Sequence, residues 1–391
     1  MAGVLEGVRV IELTTMITGP LAGMLLADLG ASVIKIENPE GGDPFRYFRG
    51  GLYGGHFISY NRNKRSLTLD LRSAKGKEIA FDLLRQADVL IDNFRNGVLD
   101  RLGLSDKVLS ELNPRLIHAS ITGFGRDGPY ANRPSYDAVA QALSGVMSQF
   151  LDPQAPKVAG PTVCDNITGF YAAYGILGAL HERERTGKGK RVETSMMEAT
   201  IAFAPDAFIN HKRYNIPIGP LTRVAASQSY AFRCQDERLV AIHMSSQLKF
   251  WEGLLKALER PELNTHPDYD TREKRIANYQ ALTVELGKTF ATRPRAEWVQ
   301  RLEAQDVPYA PVHNVSEVFD DPQVQHLGTF YQVQHPKEGE VWGINSPVFF
   351  DGKRPGEIHP PPVLGEHTEQ ILGELGLGSE QIAELKAKKV V

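Results

Sequence analysis

The first group in this sequence that chemistry can use is a carboxylate. Asp165 stands in Val163-Cys164-Asp165-Asn166-Ile167-Thr168-Gly169-Phe170, where a short extended segment stops and a long apolar helical pattern begins. Aspartate is a preferred N-cap residue, so the local reading is a helix cap. The positive end of a helix also keeps a carboxylate ionised, and an ionised, sheltered carboxylate is a competent covalent nucleophile. Its neighbour Cys164 adjoins no base and reads as a small buried filler. The eleven histidines include no H-x-x-x-H pair beside acids, so no metal site is expected. His118 lies in a strand pattern and reads as a satisfied core or rim histidine.

Arg62, Lys64, Arg65, Arg72, Arg95 and Arg101 gather basic groups around predicted loops. Singly they are solvated charges; together they suit phosphate, which arginine's planar fork grips well. Gly123-Phe124-Gly125-Arg126-Asp127-Gly128 matches G-x-G-x-x-G and follows a strand, yet Pro129, Asn132 and Pro134 come where a dinucleotide fingerprint must open a helix. A glycine turn passing close to a ligand fits better. Thr186-Gly187-Lys188-Gly189 lacks P-loop spacing and reads as a solvated turn.

The elements that must position these groups are α/β in pattern. Val8 to Leu13 alternates and is β-rich, Thr18-Gly19-Pro20 breaks it, Leu21, Leu25, Ala27 and Leu29 recur at helical spacing, and Val33 to Ile36 is a second β run. Residues 8–37 thus read as a β-α-β unit whose helix start is a ready anion site. Further strands are predicted at Val89-Leu90-Ile91 and Leu116 to Ile121, with helical spacing before the first of them, which argues for a parallel sheet covered on both faces. Its ligands should gather at Thr14 to Gly19, Asp92 to Arg95 and Thr122 to Gly128. After Asp165, the stripe Ile167, Phe170, Tyr174, Leu177 and Leu180 predicts one apolar helix face, followed by a strand over 191–195 and a helix over 196–204. Residues 210–224 read as an irregular linker. Beyond it, Tyr230 to Cys234 and Leu239 to His243 give a hairpin signal, followed by helical patterns around 250–258, 276–290 and 296–302. Val307 to Val312 leads out of this smaller α+β region, and the tail offers a β pair at Tyr331 to Val333 and Val348 to Phe350 before two closing helices.

Length and composition set the bounds. The 391 residues leave room for two or three domains. Lys+Arg 44 against Asp+Glu 47 gives a formal net charge of -3, so no bulk field gathers nucleic acid and an anionic ligand must be held locally. Cys164 and Cys234 are too few for a disulfide framework or a cysteine zinc site, which fits a reducing, cytoplasmic setting. The N-terminal residues lack the pattern of a signal peptide, and no apolar run is long enough to span a bilayer, so no membrane partner is expected.

Taken in order, Leu5 to Leu13, Thr18-Gly19-Pro20, Leu26 to Glu37, Asn63-Lys64-Arg65-Ser66, Asp92-Asn93-Phe94 and Ile121 to Gly125 resemble the family III CoA-transferases, the CaiB/BaiF type. So do Tyr136-Asp137, Gly178-Ala179-Leu180, Thr186 to Gly189 and Val307 to Val312, so the resemblance covers nearly the whole chain. It implies an α/β fold with a Rossmann-like large domain of parallel strands, an inserted smaller α+β domain and an interlocked homodimer. On that reading residues 1–200 and 320–391 form the large CoA-binding domain, 225–305 the small one, and 201–224 and 306–319 linkers. The family's D-x-x-x-G nucleophile falls on Asp165 to Gly169. Position by position, coenzyme A is expected along Ile17, Thr18, Asn38, Leu69, Asp70, Leu71, Arg72, Asn93, Phe94, Arg95, Arg101 and Tyr136.

The implied substrates are acyl-CoA and a small carboxylic acid, with succinyl-CoA a donor by family analogy and no permanently bound cofactor. Arg46, in Gly42-Asp43-Pro44-Phe45-Arg46, is our expected contact for the acceptor carboxylate. Backbone N–H groups in flexible loops, Gly123 to Gly128 or Ala225 to Ser229, are expected to stabilise oxyanions. Two departures shape the expectation. Formyl-CoA transferases have glutamine where Ile17 stands and a glycine run where Ala225-Ala226-Ser227-Gln228 stands, which points away from formate and oxalate. The α-methylacyl-CoA racemases have a histidine where Tyr136 stands, which removes one base from a two-base racemase. An acyl-CoA racemase or isomerase of the same fold and a non-catalytic acyl-CoA-binding protein are the alternatives.

Overall fold

Val10, Val33, Val89, Leu90 and Ile117 are at most 1% exposed, the mark of strands covered on both faces. In the computed structural model, which describes residues 3–51 and 53–391, they belong to β1 (Arg9–Leu13), β2 (Ser32–Glu37), β4 (Val89–Asp92) and β5 (Ile117–Thr122). With β3 (Lys64–Thr68) and β6 (Arg191–Ser195) these make a six-stranded sheet in the order β3-β2-β1-β4-β5-β6. Every pairing is parallel. The order reverses between β1 and β4, and ligands of such sheets lie in the crevice that opens at the carboxyl ends of strands there.

Two apolar layers sandwich the sheet. On one face Val10, Val33, Ile91 and Ala119 meet the helices Thr18–Asp28 and Val163–Thr186 through Ala22, Leu26, Ala172 and Ile176. On the other, Ile11, Ile34, Leu67 and Leu90 meet the helices Ala74–Arg85, Thr368–Glu374 and Ser379–Ala387. The edge strand β3 departs from the sequence reading, where its residues form only a basic motif. Lys64 carries its charge into the sheet because Glu12 meets it at 2.9 Å.

The chain divides into two compact units, Met1–Val146, Ala159–Ala204 and His326–Val391 in one, Met147–Val158 and Pro205–Gln325 in the other. In the second, β7 (Ser229–Arg233), β8 (Leu239–His243) and β9 (Tyr309–Pro311) form an antiparallel sheet in that order. Trp251, Trp298, Phe290 and Leu254 fill the core beneath it. The spans expected as linkers are structured. Helices occupy Pro205–Tyr214 and Thr222–Ser227, and β9 sits at a sheet edge, where prolines are tolerated. The tail hairpin also differs from expectation, since β10 (Phe330–His335) pairs with β11 (Gly339–Ile344) rather than with 348–350. His335 Nδ1 accepts the amides of Lys337 and Glu338 at 3.1 Å each and closes the turn before Gly339, whose φ is 72°.

Candidate active site

The helix Val163–Thr186 begins at the N-cap Thr162, which makes no side-chain cap, so Asp165 lies in the first helical turn and is not the cap. Asp137 supplies the acceptor instead. Its Oδ1 accepts the amides of Cys164 at 2.8 Å and Asp165 at 3.2 Å, while its Oδ2 accepts Gln141 Nε2 at 2.6 Å. The helix-start donors therefore point at Asp137, whose charge faces Asp165. Burial first and the Asp137 carboxylate second push the Asp165 carboxyl up to about 7. This corrects the expectation that the helix terminus holds Asp165 firmly ionised.

Cys164 is fully buried, its thiol accepting Thr200 Oγ1 at 2.7 Å and donating to the Met196 carbonyl at 3.3 Å. Burial raises that thiol to about 11, which leaves it inert near neutrality. One turn after Asp165, Gly169 lets the helix approach the backbone at Thr18 so closely that a Cβ there would sit 2.8 Å from the Thr18 carbonyl oxygen. This contact fixes Asp165 beside the loop that follows β1.

That loop is shaped by side chains. Met16 has a φ of 67°, and Asn93, just after β4, accepts the Thr15 amide at 3.0 Å and donates to the Thr15 carbonyl at 2.8 Å and to Thr18 Oγ1 at 3.1 Å. A cavity of about 340 Å³ opens here at the sheet's switch point, lined by Asp165, Thr15 to Thr18, Asn93 to Asn96, Thr122, Gly123, Arg133, Ser135, Tyr136 and Met196 among others. A second, of about 320 Å³, is lined by Leu13 to Thr15, Ile36 to Asn38, Asp43, Leu69 to Arg72 and Phe94. Thr15 and Phe94 line both, so the cavities adjoin. Among the described residues no group of three or more His, Cys, Asp or Glu side chains is placed to hold a metal ion.

The sequence pattern of CoA-transferase family III matches residues 5–368. This chain belongs to that family. The formyl-CoA:oxalate CoA-transferase of Streptomyces coelicolor is 33% identical over 412 residues, covering 100% of both chains. The human succinyl-CoA:glutarate CoA-transferase is 33% identical over 402 residues, covering 99% of this chain and 90% of its own. Among solved structures, a CaiB/BaiF family protein from Brucella suis superposes with a TM-score of 0.84 at 32% identity, covering 96% of this chain and 100% of its own.

In this family III CoA-transferase the two cavities gather most of the residues expected to meet coenzyme A. Ile17, Thr18, Asn93, Phe94, Arg95 and Tyr136 share the cavity of Asp165. Asn38, Leu69, Asp70, Leu71, Arg72 and again Phe94 line its neighbour. Arg101 lines neither and is exposed on the short helix Val98–Leu102.

Arg46 requires correction. It is 0% exposed, its guanidinium grips Glu37 at 2.8 Å through both Nε and Nη2, and the Pro362 carbonyl accepts from Nη1 and Nη2 at 3.2 Å each. With four of its five N–H donors taken inside the protein, no exposure to solvent and no place in the lining of either cavity, Arg46 is a buried structural residue and not a contact for the acceptor carboxylate. Of the basic cluster, Arg62, Lys64 and Arg65 are paired with Asp28, Glu12 and Glu374. Arg72 meets Asp70 at 2.9 Å. Among the described residues no ion pair engages Arg95 or Arg101.

Sequence reasoning missed Arg133, which lines the Asp165 cavity and lies 4.7 Å from the Tyr130 ring centroid. It also missed the part played by Asp137, whose link to the Asp165 helix is a backbone amide. The Gly123 to Gly128 turn opens no helix. Gly125 has a φ of 101° and donates its amide to Thr122 Oγ1 at 3.0 Å, and Gly123 lines the Asp165 cavity. Ala225 to Ser227 lie in a helix of the second unit, not in a loop. His118 is a satisfied rim histidine, its Nε2 2.8 Å from Asp92 Oδ2.

Proposed function

We propose that this transferase moves coenzyme A from an acyl-CoA donor to a free carboxylic acid with Asp165 as the covalent nucleophile. The observation that carries the reading is a half-buried carboxylate in the wall of a cavity that it shares with Arg95 and Arg133, cations without an acidic partner among the described residues. An Asp165 oxygen attacks the thioester carbonyl, expelling CoA thiolate and leaving a mixed anhydride. The thiolate then attacks the aspartyl carbonyl, releasing the donor acid and forming an aspartyl-CoA thioester. The acceptor carboxylate attacks that thioester, giving a second anhydride and the thiolate again. Attack of the thiolate on the acceptor's carbonyl yields the new acyl-CoA and frees Asp165. Each bond broken is matched by one formed, and water must stay out because hydrolysis discards the thioester. The Gly123 to Gly128 turn is our candidate for oxyanion donors.

The phosphates of coenzyme A fall to Arg95 and Arg72, whose planar forks suit them. Succinyl-CoA is the donor we favour and a small dicarboxylate the acceptor, in keeping with the relative named for succinyl-CoA and glutarate. Ile17 puts an apolar side chain in the wall of the Asp165 cavity, which offers a formyl or oxalyl group no hydrogen bond. A panel of donors against carboxylates decides the pair, and preferred turnover of oxalate would overturn this choice. Among the described residues no histidine lines the Asp165 cavity, which disfavours a two-base racemase. Deuterium uptake at Cα without an acceptor acid is the result that would favour one.

The enzyme is further proposed to work as an interlocked homodimer, the smaller domain inserted in the larger, in the cytoplasm. Supporting the dimer, Phe170, Tyr174 and Leu177 are 54%, 75% and 37% exposed on one face of the Asp165 helix, and contiguous exposed apolar side chains mark interaction surfaces. Light scattering that returns the mass of one chain removes the dimer, and recovery of the protein outside the cytosolic fraction removes the location. No described helix is long and apolar enough to cross a membrane.

The central test is chemical. Asp165→Ala is expected to lose CoA exchange by at least about 10³-fold, and wild type incubated with acyl-CoA should carry a hydroxylamine-sensitive adduct on Asp165. An adduct on another residue, or substantial exchange by the variant, rejects the mechanism.

A further inference from the structure

The Thr14 to Thr18 loop is gripped from beneath by a buried ion network. Lys35 Nζ meets Glu12 Oε1 at 3.0 Å and Asp43 Oδ2 at 2.9 Å, and donates to the Thr14 carbonyl at 2.8 Å. Lys64 Nζ meets the other Glu12 oxygen at 2.9 Å and donates to the Pro20 carbonyl at 2.8 Å. Asp43 completes the grip, its Oδ1 accepting the Met16 amide at 3.1 Å and the Phe45 amide at 2.9 Å. Glu12, Lys35 and Asp43 are at most 1% exposed.

Charges taken this far from water persist only when paired and hydrogen-bonded, and removing one partner leaves the others uncompensated. The lysine contacts end on the carbonyls of Thr14, at the start of the loop, and Pro20, in the helix that follows it. The Asp43 contact differs, because Met16 is the residue at positive φ, a conformation that costs a non-glycine side chain energy and persists only when its surroundings impose it. Met16 lines the Asp165 cavity, while Asp43 and Thr15 line the adjoining one.

We propose that Asp43 is a positioning residue for the acyl-CoA site: its carboxylate, held by Lys35, fixes the left-handed turn at Met16 and so sets Thr15 to Thr18 between the two cavities. The inference rests on the reading that these cavities hold acyl-CoA. Asp43 touches no reacting atom, and it acts on binding before chemistry.

The test compares Asp43→Ala, which removes both amide acceptors, with Asp43→Asn, which keeps an oxygen for Met16 but not the charge. For Asp43→Ala, KM for acyl-CoA is expected to rise roughly 10- to 100-fold, the loss of a charge-assisted hydrogen bond, while kcat stays within about threefold. Asp43→Asn is expected to raise KM about three- to tenfold, since a neutral acceptor is weaker. Both should speed hydrogen exchange of the Met16 amide. Met16→Gly accepts positive φ freely, so in the Asp43→Ala background it should recover part of the lost affinity, which repair of global stability alone would not do.

If Asp43→Ala does not fold, Asp43→Asn decides: unchanged KM together with unchanged Met16 exchange overturns the proposal. A fall in kcat with constant KM overturns it as well. Calorimetry of wild type with coenzyme A separates the two levels. Faster exchange in the variants of a protein that binds no coenzyme A sinks the site's ligand, whereas wild-type binding with no change in either variant sinks Asp43 alone.

Discussion

Asp137 gives its Oδ1 to the Cys164 and Asp165 amides, so the donors that lower a carboxylate at a helix start are turned from the Asp165 side chain. With the carboxyl of Asp165 pushed up to about 7, only about half of the enzyme at neutral pH carries the ionised side chain that the proposed attack requires. The transfer rate should therefore climb with pH through about 7 in wild type. Asp137→Asn keeps an oxygen for the two amides and removes the facing charge. Its rate profile is expected to shift to lower pH by about one unit, and identical midpoints in the two proteins would exclude Asp137 as the cause. Asp165 stood out in the sequence because an apolar helical pattern follows it. Asp137 did not, because its partner is 28 residues away and the link is a backbone amide, which leaves no trace in side-chain spacing.

At the scale of elements, periodicity found the helices more surely than it found their faces. The stripe from Ile167 to Leu180 predicted the buried side of the Asp165 helix, but Phe170 and Tyr174 point outward and Thr168, Gly169, Ala172, Ala173, Ile176 and Ala179 are buried. Small residues carry little hydrophobic signal, yet they are what allows the close approach seen at Gly169. If the outer stripe is a subunit interface, Tyr174→Glu should lower the assembled mass or prevent assembly, since burying an added charge costs several kcal/mol. Dimers of unchanged stability would remove this face from the interface. Strand β3 was illegible for a related reason. Lys64 and Arg65 look like solvent charges until Glu12, from a strand two places along, arrives to neutralise one of them.

For the whole molecule, the alternation of β-rich runs with helical spacing was enough to specify a parallel sheet, because parallel strands are joined by helical crossovers and read as short Val- and Ile-rich runs. The order 3-2-1-4-5-6 placed the loops after β1 and β4 side by side, which is why residues so far apart in the chain line common cavities. The network of Glu12, Lys35, Asp43 and Lys64 could not be read beforehand, since nothing in spacing distinguishes a buried charge from a solvated one.

The raised carboxyl of Asp165 also bears on how firmly the chain stays folded. A carboxyl at about 7 in the fold against 3.8 in the open chain favours the protonated native form. Below about pH 4 both states hold the proton and the residue is neutral to stability; between pH 4 and 7 stability drains away, and above 7 the loss is complete. Its ceiling is about 4 kcal/mol, less in practice because water reaches the half-buried side chain. Asp165→Asn is thus expected to resist urea better than wild type at pH 8 and equally at pH 4, and matching midpoints at pH 8 would contradict this. The residue proposed to perform the chemistry is, on this account, one that the native state would hold more easily without.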